Sequence, residues 1–212
     1  MRRAILAALL AAAAIQPALA GQLPPMRSFT LSKEQKDDLD KVSAYLNAMH
    51  SLSGEFLQFD PNGGLDRGEF YIDKPGRMRF EYEPPAPILI VSDGSTVAVQ
   101  NKRLNTLDRY PLWTTPLKLL LSDDVNLSHN SLITDVIEQT GMLVVQAKSE
   151  HTKSRANITL TFTWPELELR QWTVIDDQGL STTVSLRDVR QNVKLEPSLF
   201  VLPKKPATDD KG

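Results

Sequence analysis

Hydrophobic residues alternate with polar ones over most of this chain, from Leu52 to about residue 190. Turn dipeptides interrupt the alternation at Asn62-Gly63, Asp93-Gly94, Thr140-Gly141 and Gln178-Gly179. A period of two places successive side chains on opposite faces of a strand, and Asn-Gly-type pairs favour tight hairpins. The pattern therefore predicts an antiparallel meander, with strands near 52–59, 65–73, 77–83, 88–92, 95–100, 105–109, 132–139, 142–148, 156–164, 167–176 and 180–190.

A helix is predicted before the strands. Ser32 can cap its first turn, and Gln35 three residues later completes a capping box. Apolar residues then recur at helical spacing to about residue 50, at Leu39, Val42, Leu46 and Met49. Two shorter elements are predicted at 116–121 and at 197–201. The fold class is therefore mainly β, of the α+β type: a strongly curved antiparallel sheet covered by one long N-terminal helix and short helices.

The alternation gives the sheet two unlike faces. Between residues 65 and 83 the even-numbered positions are mostly apolar, and the odd-numbered ones are mostly charged. Arg77 and Arg79 are therefore predicted to lie on the solvent face, among carboxylates. The apolar face has few helices to cover it. Either these pack into an ordinary core or they leave a concave apolar cavity beneath a lid, and periodicity does not separate the two cases.

Residues 1–20 have the pattern of an export signal. Arg2 and Arg3 begin it, residues 4–15 form an apolar run too short to span a bilayer, and Ala18-Leu19-Ala20 is a small-x-small cleavage site. We expect cleavage after Ala20, and no lipid anchor at the cut because cysteine is absent there. The remaining chain is expected to form a single soluble domain over 21–205 with a flexible tail at 206–212.

Side chains that could carry catalysis or hold a metal are sparse. The chain has no cysteine, and its three histidines, His50, His129 and His151, lie in separate segments. No nucleophile elbow, Gly-rich phosphate loop or H-E-x-x-H sequence occurs. Removal of Arg2 and Arg3 lowers the 24 basic residues to 22 against 26 acidic ones, a net charge of −4 that argues against nucleic-acid binding. We expect no metal, no cofactor and no enzymatic activity.

Four short motifs follow one another in the order and spacing of a known family. They are Gly54-x-Phe56-x-Gln58, Gly68-Glu69-Phe70-Tyr71-Ile72, Lys74-Pro75-Gly76-Arg77-Met78-Arg79-Phe80 and Ile90-Val91-Ser92-Asp93-Gly94. Together with the export signal and the absence of cysteine, they make the chain resemble the periplasmic outer-membrane lipoprotein carrier protein family, LolA. The resemblance extends from the helix near residue 33 to Phe200-Val201-Leu202-Pro203.

The resemblance implies an incomplete β-barrel whose apolar interior holds the acyl chains of lipoproteins. It also implies a periplasmic monomer that receives lipoproteins from an ATP-driven inner-membrane transporter. The carrier would deliver them to an outer-membrane receptor or to the outer membrane itself, without covalent chemistry. The implied acyl-binding residues are Phe56, Phe70, Ile72, Met78, Phe80, Tyr82, Ile88 and Ile90. The implied lid or transfer residues are Lys74, Pro75, Leu117, Leu120 and Leu121.

The chain departs from the family pattern in two places. Lys74 stands where the family commonly has an arginine linked to lid hydrogen bonding and transfer. Lysine supplies a point charge but not a planar fork of donors. In the family pattern an aromatic and glutamine run follows position 101, and residues 102–108 lack it here. This departure concerns the partner contacts more than the fold.

Other interpretations remain open at this level. The outer-membrane receptor of the same fold family carries a lipid-bearing cysteine just after its signal, whereas this chain has Gly21-Gln22, which favours the carrier. A periplasmic lipoprotein sensor usually has an additional C-terminal domain. A binder of free lipids would need the same cavity and would fail only to bind the protein part of a lipoprotein. Turnover of a lipid ester would instead indicate an enzyme.

Overall fold

The computed structural model describes residues 30–149 and 155–204. Its helices are α1 (Lys33–Ala48) and α2 (Lys118–Leu121), and it has 3-10 turns at Leu112–Thr114 and Pro197–Phe200. Its strands are β1 (Ser51–Phe59), β2 (Leu65–Asp73), β3 (Arg77–Tyr82), β4 (Ile88–Asp93), β5 (Thr96–Asn101), β6 (Thr106–Pro111), β7 (Ile133–Gln139), β8 (Met142–Lys148), β9 (Asn157–Thr163), β10 (Leu169–Ile175) and β11 (Ser181–Gln191).

The strands form one antiparallel sheet in the order β6-β5-β4-β3-β2-β1-β11-β10-β9-β8-β7. Two meanders, β1–β6 and β7–β11, join at the centre, where β1 pairs with β11 from Leu52 opposite Gln191 to Phe59 opposite Thr183. Within residues 30–149 and 155–204, the edge strands β6 and β7 do not pair with each other, so the sheet stays open on one side. The predicted fold class, mainly β with an unclosed antiparallel sheet, is confirmed.

The sheet curls strongly around its apolar side. β3 and β10 are four places apart in the strand order, which in a flat sheet would separate them by about 19 Å. The ring centroids of Phe80 on β3 and Trp172 on β10 are nevertheless only 5.9 Å apart. The two meanders therefore face each other across a shared interior.

The predicted elements agree with the observed ones to within two residues at every end. The predicted capping box is present, with Gln35 N donating to Ser32 Oγ at 3.2 Å and Ser32 N donating to Gln35 Oε1 at 2.9 Å. Differences of two residues occur at the end of α1, the start of β10, the start of α2 and the end of β6, which runs on to Pro111 because that residue still pairs with Thr96. α2 begins two residues later than predicted because Leu117 serves as its N-cap.

α1 covers the second meander with its apolar stripe. Leu39, Val42 and Leu46 are buried on that side of the helix. Tyr45 meets Phe162 of β9 edge to face, with ring centroids 6.0 Å apart. The helix is thus held by core packing along its length and forms part of the wall of the interior.

The outer face of β3 differs from the predicted solvent face. Arg77 and Arg79 point outward, but the C-terminal segment packs over them. Arg79 Nη1 donates to Leu199 O at 3.3 Å, and the Arg77 guanidinium lies 5.6 Å from the ring centroid of Phe200. The Arg79 side chain is only 18% exposed as a result. Alternation identified the face correctly, but it could not show that a segment about 120 residues later returns to cover it.

Three predictions concern residues outside the described ranges: the export signal at 1–20, the tail at 206–212 and the exposed loop position of His151. The limits of the single domain, 21–205, also remain a prediction. No helix in residues 30–149 or 155–204 has the length and apolar character needed to cross a membrane.

Candidate functional site

Aromatic side chains fill the centre of the concave side. The ring centroid of Phe56 lies 5.1 Å from that of Phe80 and 4.9 Å from that of Tyr82, while Phe70 stacks on Phe80 at 5.8 Å. Trp172 reaches this group from β10 and meets Phe80 edge to face. These five residues, the aromatic cluster, join the two meanders, since four of them come from β1–β3 and the fifth comes from β10.

A cavity of about 230 Å³ lies beside the aromatic cluster. Its lining is almost wholly apolar and consists of Gln58, Met78, Phe80, Tyr82, Ile90, Leu117, Trp172, Val174, Thr182 and Val184. The covering elements therefore fill most of the concave side but leave an apolar cavity within it. Its volume is below the roughly 300–1,000 Å³ that is usual for small-molecule sites.

Five of the residues singled out from the sequence meet at this cavity. Met78, Phe80, Tyr82 and Ile90 line it from β3 and β4, and Leu117 closes it from the segment before α2. The strand residues point inward because they occupy alternate positions of paired strands, with Phe80 opposite Ile90. Periodicity and the family pattern thus brought together residues that do share one site.

Other predicted residues lie on the same face but not at the cavity wall. Phe56, Phe70 and Ile72 are fully buried in the core behind it. Ile88 is part-buried and packs against the core near the end of β4. These four side chains support the cavity from behind or from its margin.

The sequence analysis missed half of the cavity wall. Trp172 and Val174 of β10, with Thr182 and Val184 of β11, face Phe80 and Ile90 across the interior. Their alternation marks them as inward-facing, but it does not show which distant strand they face. Gln58 was present in a quoted motif without being assigned to the site.

Polar groups gather at one end of the cavity. Tyr82 Oη donates to Gln58 Oε1 at 2.6 Å, and Asp66 lies directly opposite Gln58 in the pairing of β1 with β2. Burial raises the pKa of Tyr82 above its usual value, and the charge of Asp66 raises it further. Tyr82 therefore remains a neutral donor. We call Gln58, Asp66 and Tyr82 the polar lip.

Residues 112–121, which we call the cover segment, lie over the other side of the interior. Leu120 and Leu121 are buried, and Leu121 O accepts a hydrogen bond from Gly76 N at 2.9 Å. Gly76 has φ +73, and a Cβ there would lie 2.8 Å from Gly94 Cα and 3.1 Å from Leu112 Cδ2. Glycine is required here mainly by the close approach of the β2–β3 turn to Gly94 in the β4–β5 turn, and the cover segment adds the looser contact with Leu112.

Lys74 lies buried at the end of β2, just before Pro75 in the β2–β3 turn, and is 8% exposed. Its Nζ donates to Leu46 O near the C-terminus of α1 at 2.7 Å, a carbonyl that also accepts from the C-cap Met49 N at 3.3 Å. Burial lowers the pKa of Lys74 to about 8, and the charge of Asp123, two residues beyond α2, partly opposes this shift. Lys74 thus links α1 to the β2–β3 turn and interacts electrostatically with the end of the cover segment.

Residues 47–203 match the family model described as outer membrane lipoprotein carrier protein LolA. This match covers most of the chain, and the protein belongs to the LolA family. The family is defined as one of lipoprotein carriers, so the expected resemblance is confirmed.

Individual relatives are distant. The protein RP864 of Rickettsia prowazekii is 22% identical over 162 residues, which cover 76% of this chain and 75% of the relative. The outer-membrane lipoprotein carrier protein of Pseudomonas aeruginosa is 24% identical over 181 residues, covering 81% and 86%. Among solved structures, the LolA superfamily protein NE2245 of Nitrosomonas europaea matches at 8% identity and a TM-score of 0.40, over 77% of this chain and 97% of that one.

Proposed function

We propose that this protein is a periplasmic carrier of acylated lipoproteins that performs no covalent chemistry. In this role it receives lipoproteins from an ATP-driven transporter of the inner membrane and passes them to the outer membrane or to a receptor there. The observation that carries the proposal is the apolar cavity between the aromatic cluster and Leu117. Membership of a lipoprotein carrier family supports the class of cargo.

The carrier role requires apolar surface that can replace the membrane. Each methylene removed from water is worth about 0.8 kcal/mol, so acyl chains cannot cross an aqueous compartment unaided. The cavity of about 230 Å³ is too small for several chains, and the interior must therefore enlarge on loading. Leu117 borders the cavity, so outward movement of the cover segment would expose Phe80 and Ile90 to an incoming chain.

The cover segment is suited to such movement. α2 has only four residues, and neither it nor the preceding 3-10 turn has a side-chain hydrogen bond at its N-cap. Short helices are marginal in isolation, so this segment depends on its tertiary contacts. Elements of low local stability open at low free-energy cost, as a carrier that must also release its cargo requires.

Lys74 has a place in this scheme as a regulator of opening. Its hydrogen bond to Leu46 O fixes one end of α1 to the β2–β3 turn, on which Leu121 also rests. Movement of the cover segment would separate Asp123 from Lys74 and weaken their attraction. We assign to Lys74 the transfer role that the family gives to arginine, acting as a single point charge.

The test is release of a triacylated lipoprotein from proteoliposomes that contain the transporter and ATP. We expect the mature chain to bring lipoprotein into the soluble fraction in a one-to-one complex. Phe80→Glu should abolish loading, because it places a carboxylate in the apolar cavity. Phe59→Glu is the matched control, since Phe59 is 44% exposed on the outer side of β1 and should tolerate the charge.

Three results would contradict the proposal in different ways. Normal loading by a folded Phe80→Glu variant would show that the cavity does not hold the acyl chains. Binding of neutral lipids without release of lipoprotein would indicate a lipid-binding relative with another cargo. Turnover of a lipid ester would show that the protein is an enzyme.

A further inference from the structure

The polar lip places a free hydrogen-bond donor at the end of the cavity. Gln58 lines the cavity, and its Oε1 already accepts from Tyr82 Oη. Within the described part of the chain, its Nε2 group has no protein acceptor. An amide carries two donors on that nitrogen, so the lip can donate to an acceptor on a bound ligand.

Charge at this end of the cavity is negative. Asp66 stands opposite Gln58 on the inward side of β2, and its charge acts on Tyr82, which donates to Gln58. None of the residues that line the cavity is basic. Lys74 lies eight residues from Asp66 at the far end of β2, on the order of 27 Å away, and is engaged with Leu46 O.

We propose that the polar lip makes this cavity selective for acyl groups whose head is a neutral ester or amide carbonyl, against free fatty acids. This inference rests on the proposed acyl-binding function and specifies its ligand chemistry. A neutral carbonyl accepts a hydrogen bond from Gln58 Nε2. A fatty-acid carboxylate at the same place meets the negative charge of Asp66.

The size of the effect follows from Coulomb's law. Two like charges repel several times more strongly at a protein surface, where the effective dielectric constant is about 20, than in bulk water, where it is about 80. Each 1.4 kcal/mol is a factor of ten in affinity, so discrimination of about tenfold is expected at a partly hydrated lip. The acyl groups of a lipoprotein are held in ester and amide bonds, whereas hydrolysed lipids in the same compartment are carboxylates.

The experiment compares two competitors with the same chain length. The mature protein is loaded with N-phenyl-1-naphthylamine, a neutral fluorescent probe, and the probe is displaced with 1-monolauroylglycerol or with laurate, each below its critical micelle concentration. We expect monolauroylglycerol to displace the probe at a concentration about tenfold lower than laurate.

Two variants test whether the polar lip causes the preference for monolauroylglycerol over laurate. Asp66→Asn should strengthen laurate binding, with little change for monolauroylglycerol. The two competitors should then displace the probe at nearly equal concentrations. Gln58→Leu should weaken monolauroylglycerol and leave laurate nearly unchanged. Glu55→Gln removes one carboxylate from the exposed outer side of β1 and should keep the wild-type ratio.

The outcomes separate this inference from the proposed function. If neither competitor displaces the probe, or if the probe itself does not bind, the acyl-binding function fails. Equal displacement by both competitors in the wild type would overturn the selectivity while acyl binding stands. An unchanged ratio in Asp66→Asn, with its melting temperature and probe binding intact, would also overturn it.

Discussion

Two covers close the concave side of the sheet, and they are built differently. α1 has 16 residues, a complete capping box and polar contacts beyond its core packing: Gln35 Nε2 donates to Val136 O at 2.9 Å, and Asn47 exchanges two hydrogen bonds with the backbone of Val125. The cover segment has a 3-10 turn and a four-residue helix, neither with a side-chain hydrogen bond at its N-cap.

The comparison indicates which cover would open if the protein works as the proposed carrier. A long, capped helix loses many contacts at once if it moves, so α1 behaves as a fixed wall. Buried leucines and backbone hydrogen bonds hold the cover segment, among them Gly76 N to Leu121 O and Leu112 N to Ser95 O, and its Leu117 borders the cavity. We therefore expect opening on this side to cost less free energy and to expose the cavity directly.

The largest expected difference is between leucines of the two covers. Leu39→Ala removes a fully buried side chain from α1 and should lower the free energy of unfolding by about 2–5 kcal/mol. Leu117→Ala removes a part-exposed side chain that borders an existing cavity, and should cost less than about 1.5 kcal/mol. Urea unfolding measures both. Equal losses would show that the two covers are equally fixed.

A second prediction concerns the glycine beneath the cover segment. Gly63→Ala and Gly76→Ala both place alanine at positive φ, which costs roughly 1–2 kcal/mol. A Cβ at position 63 meets nothing within 4 Å, whereas a Cβ at 76 collides with Gly94 and Leu112. Gly76→Ala should therefore lower the free energy of unfolding by roughly 1–3 kcal/mol more than Gly63→Ala does.

The same pair of variants also reports on opening. Displacement of the cover segment in Gly76→Ala should raise the rate of amide hydrogen exchange in α2 but not in α1. Gly63→Ala should leave both rates as in the wild type. Unchanged amide exchange in α2 of the Gly76→Ala variant would mean that the cover segment does not depend on its contact with the β2–β3 turn.

The smallest expected effect is the pH dependence that Lys74 contributes. Burial lowers its pKa to about 8 in the folded state, against the ordinary value of 10.5 in the unfolded chain. The unfolded state binds more protons between these values, so stability rises with pH across that window. Relative to Lys74→Met, the free energy of unfolding of the wild type should increase by on the order of 1–2 kcal/mol between pH 7 and pH 10.

Lys74→Arg is the control for this effect, because arginine stays charged over the whole range and should show no such gain. Chemical unfolding at each pH measures the difference between variants and cancels the titration of groups they share. A difference between wild type and Lys74→Met that does not change with pH would contradict a buried, desolvated ammonium at this position.

Much of the local structure could be predicted from the sequence. The capping residues Ser32 and Gln35 and the turn glycines lie where short-range chemistry requires them, and strand ends were predicted to within two residues. The inward residues Met78 and Phe80 followed from the same alternation. These features depend on neighbours a few residues apart, so periodicity and turn chemistry are sufficient to identify them.

The sequence by itself determined the strands, their faces and the family. Only the tertiary structure decided that Trp172 meets Phe80, that Lys74 donates to Leu46, and that Phe200 returns to cover Arg77. Each of these contacts joins residues far apart in the chain and depends on how far the sheet curls. Alternation assigns a side chain to a face, but the accumulated twist of many paired strands decides what that face meets.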